Sequence, residues 1–300
     1  MKIEAKYHPE TSTLTYIVWD EETRDAVIID PVLDYDPLSS ETSVLSIRDL
    51  LAFVQAHRLR VHAILETHAH ADHITGAQAL KAALGANVVI SEHIRRVQET
   101  FKPIFGFGDT FPTDGSQFDQ LVTDGQTLEA GSLRVHALHT PGHTPACLSY
   151  KIGDAVFTGD ALFMPDQGTG RCDFPGGSAE ALYDAVTTKL YQLPDATRVF
   201  VGHDYQPGGR ALAYETTIGA SKAHNVQLTA STAKETFVRF RQARDGSLAA
   251  PRLLFPSVSL NIDAGHMPDP DANGIRRIAL PINLLQPSDD HGIPKADGLT

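Results

Sequence analysis

The most informative segment of this 300-residue sequence is Thr67-His68-Ala69-His70-Ala71-Asp72-His73. It places three imidazoles and one carboxylate within six residues, and these groups bind Zn(II) and Fe(II) in proteins. The apolar run Ala63-Ile64-Leu65 before it indicates a strand, and apolar positions spaced along the following residues to Leu84 indicate a helix. The segment therefore predicts a strand-to-helix turn on which metal ligands converge.

Three later positions share one local form, a His or Asp just past an apolar run and next to a glycine. They are His143 in Thr140-Pro141-Gly142-His143, Asp160 in Phe157-Thr158-Gly159-Asp160, and His203 in Val201-Gly202-His203. Glycine lets two backbones approach closely, so such loops can pack against one another. We expect these three side chains to join the first motif.

Short apolar strands alternate with helical patterns from the N-terminus to about residue 215, with helices expected at 43–57 and 178–193 and Ser178 as an N-cap. This alternation predicts an α/β fold of sheets covered by helices. The pattern then changes to a polar helical stretch at 231–244 and a proline-rich tail. We therefore expect a catalytic domain over 1–218 and a C-terminal extension, 219–300, packed on it.

Composition excludes several classes of function. The formal charge is 25 − 37 = −12, which opposes binding to nucleic acid or to an anionic membrane. No apolar run reaches the roughly 18 residues of a membrane span. With only two cysteines, Cys147 and Cys172, a disulfide framework is excluded. We expect a soluble, cytoplasmic protein that binds small molecules.

The motif set formed by the His68 segment, His143, Asp160 and His203 resembles that of the metallo-β-lactamase superfamily over residues 10 to 215. The resemblance implies a four-layer αββα sandwich with the metal site at one edge.

Three further segments resemble the persulfide dioxygenases within that superfamily: Gly168-Thr169-Gly170-Arg171-Cys172-Asp173-Phe174, His203-Asp204-Tyr205, and Ile29-Asp30-Pro31-Val32 with Asp34. That family uses one non-haem iron to oxidise glutathione persulfide with O2 to sulfite and thiol. The resemblance implies one Fe(II) per chain, bound by His68, His143 and Asp160. It assigns His70, Asp72, His73 and His203 to positions around the iron, where Asp72, His73 and Tyr205 would assist catalysis, and it assigns Arg171 to a substrate carboxylate.

The ligand list is equally compatible with a dinuclear glyoxalase II-like thioester hydrolase. In that arrangement Asp160 bridges two metals, with one ion bound by His68, His70 and His143 and the other by Asp72, His73 and His203. The cofactor would then be Zn(II), at one or two ions per chain.

Other features have simpler interpretations. Arg171 can instead form a salt bridge with Asp173, and Arg239, Arg241 and Arg244 predict a solvated basic helix face. Alternating apolar residues at 258–262 and 278–282 suggest strands that pair with the main sheet or with a second subunit, which leaves a homodimer open.

Overall fold

A computed structural model of the chain describes residues 1–284. In chain order its strands are β1 (Lys2–His8), β2 (Thr13–Trp19), β3 (Asp25–Ile29), β4 (Val32–Asp36), β5 (Glu41–Ser43), β6 (Arg60–Leu65), β7 (Ile74–Thr75), β8 (Asn87–Ser91), β9 (Gln120–Val122), β10 (Thr127–Ala130), β11 (Leu133–His139), β12 (Leu148–Ile152), β13 (Ala155–Phe157), β14 (Arg198–Phe200) and β15 (Glu215–Thr217). Its α-helices are α1 (Leu45–His57), α2 (Ala77–Leu84), α3 (Ile94–Ile104), α4 (Ala179–Thr188), α5 (Ile218–His224), α6 (Lys234–Asp245) and α7 (Leu254–Asn261).

Two six-stranded sheets form the centre of the fold. The first has the order β1-β2-β3-β6-β8-β9 and the second the order β10-β11-β12-β13-β14-β15. Helices α1, α2, α3 and α7 cover the outer face of the first sheet, and α4, α5 and α6 pack on the second. The expected four-layer αββα sandwich is confirmed. The Ser178 N-cap is also present, since its hydroxyl accepts a hydrogen bond from the Ala181 amide at 3.1 Å.

Strand β2 contributes to the core on both faces of the first sheet and is hydrogen-bonded to the second sheet. All seven of its residues are buried, and its side chains alternate between the two faces of the sheet. Tyr16 lies in the core between the sheets, whereas Ile17 packs under the outer helices. The Tyr16 hydroxyl donates a hydrogen bond to the carbonyl oxygen of Val201 at 2.6 Å, which joins the first sheet to the end of the second.

The loops that carry the motifs meet at one edge of the two sheets. The His68 segment follows β6, His143 lies between β11 and β12, Asp160 follows β13, and His203 follows β14. Gly159, with φ at 48°, makes this convergence sterically feasible. A Cβ atom at this glycine would lie 2.6 Å from Thr67 Oγ1, so any side chain here would push the Asp160 loop away from the first motif.

The C-terminal part of the described chain corrects two expectations. Arg241 is 2% exposed and pairs with Asp245, so it does not belong to a solvated basic face. Residues 258–261 lie in helix α7, and 278–282 form no strand. Helix α7 is buried on most of its surface, so its apolar residues are not confined to one stripe and can mimic strand alternation. Residues 285–300 of the predicted extension lie outside the described residues.

Among residues 1–284, no helix has the length and apolar character needed to cross a membrane.

Candidate metal centre

His68, His143 and Asp160 converge at the edge of the sandwich. One ligand atom of each lies within 4.8 Å of the other two, and all three side chains are buried. His143 Nε2 is 3.6 Å from Asp160 Oδ2. Two imidazoles and one carboxylate around a point form the donor set of many non-haem Fe(II) sites, and Zn(II) uses the same groups. These are the three residues that the sequence analysis assigns to iron.

Hydrogen bonds behind the two imidazoles leave their Nε2 atoms available to a metal. His68 Nδ1 lies 3.0 Å from Thr67 Oγ1, whose hydroxyl in turn donates to Asp30 Oδ2 at 2.8 Å. His143 Nδ1 donates to the carbonyl oxygen of Arg171 at 2.7 Å. Because the donating nitrogen carries the proton, the lone pair of each ring is on Nε2, as a metal ligand requires.

A second group of ligand atoms lies beside the first. It consists of His70, Asp72 and His203, again within 4.8 Å of one another. His203 Nε2 is 3.3 Å from Asp160 Oδ1 and 3.7 Å from Asp72 Oδ2, so Asp160 lies between the two groups. The dinuclear alternative assigned His73 to this group and His70 to the first, whereas the structure groups His70 with Asp72 and His203.

Two buried carboxylates support His70 from behind. Its Nε2 lies 3.0 Å from Asp30 Oδ1 and 3.5 Å from Glu66 Oε2, and the Thr75 hydroxyl donates to Glu66 Oε1 at 2.5 Å. Burial alone would lower the pKa of His70, but these carboxylates outweigh it and raise that pKa well above its usual value. Both ring nitrogens of His70 are buried and neither forms a hydrogen bond with a described residue, so the interaction with the two carboxylates is one of charge.

Several ligand atoms lack any other partner, which tests whether the centre suits a metal ion. His68 Nε2, His73 Nε2, His203 Nε2 and Asp160 Oδ1 are buried and form no hydrogen bond with any described residue. Leaving one buried polar atom unpaired costs about 1–3 kcal/mol. A divalent cation bound here would satisfy several of them together, so the residues fit a metal of the zinc and iron class.

The electrostatics favour neutral imidazoles at His68 and His73 and an ionised carboxylate at Asp72. Burial lowers the pKa of His68 well below its usual value and that of His73 to about 4. Burial alone would raise the pKa of Asp72, but His203 and His73 outweigh it and lower that pKa well below normal. At neutral pH His68, His73 and Asp72 therefore have the protonation states that metal binding needs. The carboxylates beside His70 and His203 instead raise the pKa of both of those imidazoles.

Arg171 and Tyr205 lie near the centre and differ in their contacts, because the Arg171 guanidinium has hydrogen-bond partners and the Tyr205 hydroxyl has none among the described residues. The Arg171 guanidinium forms two 2.7 Å hydrogen bonds with Asp173 and a third with the carbonyl oxygen of Ala249. The Tyr205 ring stacks on His203 with centroids 5.6 Å apart, and the residue is 58% exposed. Its hydroxyl forms no hydrogen bond with a described residue. The substrate role of Arg171 and the catalytic role of Tyr205 therefore stay predictions.

A chain of hydroxyl groups leads away from Asp72. Thr13 Oγ1 donates to Asp72 Oδ2 at 3.1 Å and lies 2.7 Å from Thr11 Oγ1, which is 2.8 Å from His8 Nδ1. His8 Nε2 is in turn 3.5 Å from Asp34. The chain therefore connects the carboxylate of the centre with a partly exposed imidazole.

The C-terminal helices contribute residues that sequence reasoning missed. Asn261, at the end of α7, donates through Nδ2 to the carbonyl oxygens of His70 and His73 and accepts from the Thr75 amide. Arg241 donates to the carbonyl oxygen of Thr169 at 3.2 Å. Asn261 lies 188 and 191 residues from these partners and Arg241 lies 72 residues from Thr169, so neither has a local signal in the sequence. Only the fold brings these residues to the site.

Comparison with known proteins agrees with this geometry. Residues 8–203 match the domain described as the metallo-beta-lactamase superfamily. This chain belongs to that superfamily, and its buried His and Asp cluster is a metal-binding site of the kind that defines it.

Relatives from different parts of the superfamily are similar to this chain. Glyoxylase B2 of Dictyostelium discoideum is 45% identical, covering 95% of this chain and 98% of the relative. The mitochondrial persulfide dioxygenase ETHE1 of Bos taurus is 33% identical, covering 78% of this chain and 77% of that protein. The crystal structure of ETHE1 from Myxococcus xanthus is 34% identical with a TM-score of 0.71, covering 89% of this chain and all of that one.

Proposed function

We propose that this protein is a mononuclear non-haem iron persulfide dioxygenase acting on glutathione persulfide or a similar low-molecular-weight persulfide in the cytoplasm. The observation that carries the proposal is the cluster of His68, His143 and Asp160, with both imidazoles held to present Nε2. The similarity to ETHE1 in sequence and fold supports it. When bound, Fe(II) would supply the redox chemistry that joins O2 to sulfur.

The proposed reaction balances as RSSH + O2 + H2O giving RSH, sulfite and two protons. The sulfur–sulfur bond breaks, and sulfur gives four electrons to O2. The two protons need acceptors near the centre. Asp72 and His73 lie beside the centre with His73 Nδ1 3.0 Å from Asp72 Oδ2, and we assign them to this task. Thr13 holds the Asp72 carboxylate toward the hydroxyl chain.

A dinuclear thioester hydrolase is the second candidate, with Zn(II) as its metal. It is favoured by the second ligand group, His70, Asp72 and His203, and by the similarity to glyoxylase B2. In this candidate both groups would bind a metal and Asp160 would lie between them.

One set of measurements separates the two candidates. The anaerobically purified protein is analysed for metal, followed in an oxygen electrode with glutathione persulfide, and assayed with S-lactoylglutathione. We expect one iron per chain and persulfide-dependent O2 uptake. Asp160→Ala should lose the metal. Asp72→Asn should retain the metal but lower the rate of O2 uptake. His136→Gln, on β11 away from the centre, serves as the control. Two zinc ions per chain with thioester hydrolysis and no O2 uptake would replace the first candidate by the second.

A further inference from the structure

A small cleft opens beside the metal centre on the side of Asp72 and His73. Its volume is about 30 Å³, enough for a carboxylate-sized group but not for a whole tripeptide. Both ends of the chain contribute to it. Its lining comes from the end of β1 and the turn after it, from β4, from the metal-binding segment and from the residues just before α7. It includes His8, Glu10, Tyr35, Asp72, His73 and Arg252.

Two side chains of opposite charge in this cleft have unused polar atoms. Glu10 and Arg252 are exposed, and neither forms a hydrogen bond or an ion pair with another residue of the described chain. The positive charge of Arg252 helps to lower the pKa of Asp36, although the hydrogen bonds that this carboxylate accepts from Leu38 and Ser39 lower it more. Both charges are therefore available to a ligand.

The other polar groups of the cleft are already engaged. His8 lies between Thr11 and Asp34, and the Tyr35 hydroxyl is 3.0 Å from Ser40 Oγ. Asp72 is held by Thr13 and His73. A ligand entering the cleft would thus meet one free cation and one free anion, an arrangement that suits a zwitterion and disfavours a ligand of a single charge.

The segment before α7 also explains why Arg171 is not the free cation. The carbonyl oxygen of Ala249 accepts a hydrogen bond from Arg171, whose remaining donors point at Asp173. Arg252 follows Ala249 by three residues. The same stretch of chain therefore helps to occupy one arginine and presents another in the cleft next to the centre.

We propose that Glu10 and Arg252 bind the amino-acid end of the thiol substrate, Arg252 its α-carboxylate and Glu10 its α-ammonium group. A guanidinium binds a carboxylate through paired hydrogen bonds, and a carboxylate accepts from an ammonium group. The rest of such a substrate would extend from the cleft over the neighbouring metal centre. This assignment rests on the proposed function, because it takes the substrate to be a thiol derivative with a free amino-acid end.

The test is calorimetric titration of the metal-loaded protein with S-methylglutathione, a thioether that carries the amino-acid end but no persulfide. Arg252→Met and Glu10→Gln should each weaken binding about tenfold or more, because each removes charge-assisted hydrogen bonds to the ligand. Arg134→Met, which removes an exposed arginine at 74% side-chain exposure on β11, should bind as the parent protein does.

A second ligand separates the two roles. N-acetyl-S-methylglutathione lacks the ammonium charge, so Glu10→Gln should no longer weaken binding, whereas Arg252→Met should still do so. Unchanged affinity in both variants, or a parent protein that does not bind S-methylglutathione, would overturn the assignment. Arg252-dependent binding in a protein that shows no O2 uptake with persulfide would keep this subsite and reject the dioxygenase instead.

Discussion

Asn261 Nδ2 lies 2.8 Å from the carbonyl oxygen of His73, 188 residues earlier in the chain. The same nitrogen is 2.9 Å from the carbonyl oxygen of His70, and Asn261 Oδ1 accepts from the Thr75 amide at 2.9 Å. One buried side chain of helix α7 therefore fixes the backbone on both sides of Asp72. The C-terminal helix is part of the support of the metal centre.

Replacing Asn261 by Ala should weaken metal binding. The change leaves two carbonyl oxygens and one amide of a buried loop without partners, at about 1–3 kcal/mol for each unsatisfied group. Loss of a group that positions metal ligands commonly lowers metal affinity about 10–100-fold. Competition with a chelator measures the affinity, and denaturant unfolding of the metal-free protein measures the stability.

Ser257→Ala is the matched control for that variant. Ser257 lies on the same helix and is equally buried, but its hydroxyl has no hydrogen-bond partner among the described residues. We expect no loss of metal affinity and no loss of stability. If Asn261→Ala bound metal as tightly as Ser257→Ala, the loop would not depend on this contact.

Thr13→Val should lower the catalytic rate without removing the metal. Valine keeps the shape of threonine, but it cannot donate to Asp72 Oδ2 or continue the chain to Thr11 and His8. We expect kcat to fall about tenfold or more, as for other groups that orient residues around a metal. Metal analysis and steady-state kinetics are measured together. The control is Thr23→Val, which removes a hydroxyl in the turn between β2 and β3. An unchanged kcat in Thr13→Val would show that the hydroxyl chain has no part in the reaction.

Arg241 and Asp245 form a buried ion pair whose disruption should be costly. Asp245 also accepts from the Cys172 amide at 2.8 Å, and Arg241 holds the carbonyl oxygen of Thr169, so the pair supports the loop that follows Asp160. Arg241→Met leaves an uncompensated buried carboxylate and should destabilise the fold by about 3 kcal/mol or more. Adding Asp245→Asn removes that charge and should recover part of the loss. Denaturant unfolding checks both, and a double variant no more stable than the single one would contradict the electrostatic explanation.

The sequence predicted the parts of the site that lie in local motifs. His68, His143 and Asp160 each follow a strand next to small or glycine residues, and each strand ends at the same edge of the sandwich. Local pattern is enough for these residues because the strand order of the fold determines where the loops meet. The grouping of His70 with Asp72 and His203 depends on how the loop folds, which the spacing of the motif does not determine.

The residues that sequence reasoning missed act across long separations. Asn261 and Arg241 have ordinary surroundings in the sequence, and their importance comes from partners on distant loops. The prediction that Arg241 is solvated was wrong. The sequence shows that Arg241 and Asp245 are one helical turn apart, but it does not show that the pair is buried. Helix α7 was mistaken for a strand because burial on most of its surface removes the amphipathic pattern.

Asp25 should make the stability of the fold sensitive to acid. It accepts hydrogen bonds from His62 Nε2 at 2.7 Å and the Ser132 amide at 2.9 Å, and Arg60 lies 2.9 Å away. The hydrogen bond from His62, followed by those from Ser132 and Thr23, holds its pKa well below normal. A carboxylate with a lowered folded-state pKa stabilises the fold at every pH above its unfolded value of about 3.9. That contribution is lost as pH falls from there toward the folded pKa.

Asp25→Asn should therefore have a lower free energy of unfolding than the parent protein at neutral pH. This difference should stay constant down to about pH 4 and shrink below it.

Asp263→Asn provides a control of opposite sign. Burial raises the pKa of Asp263, so its charge opposes folding at neutral pH. Removing that charge should stabilise the protein at pH 7 and make no difference at low pH. Denaturant unfolding of the metal-free protein between pH 2.5 and 7 is the measurement, with the pH range set by the carboxyl titration near pH 4. A stability difference for Asp25→Asn that did not change with pH would mean that its ionised carboxylate is not what holds β3 to the start of β11.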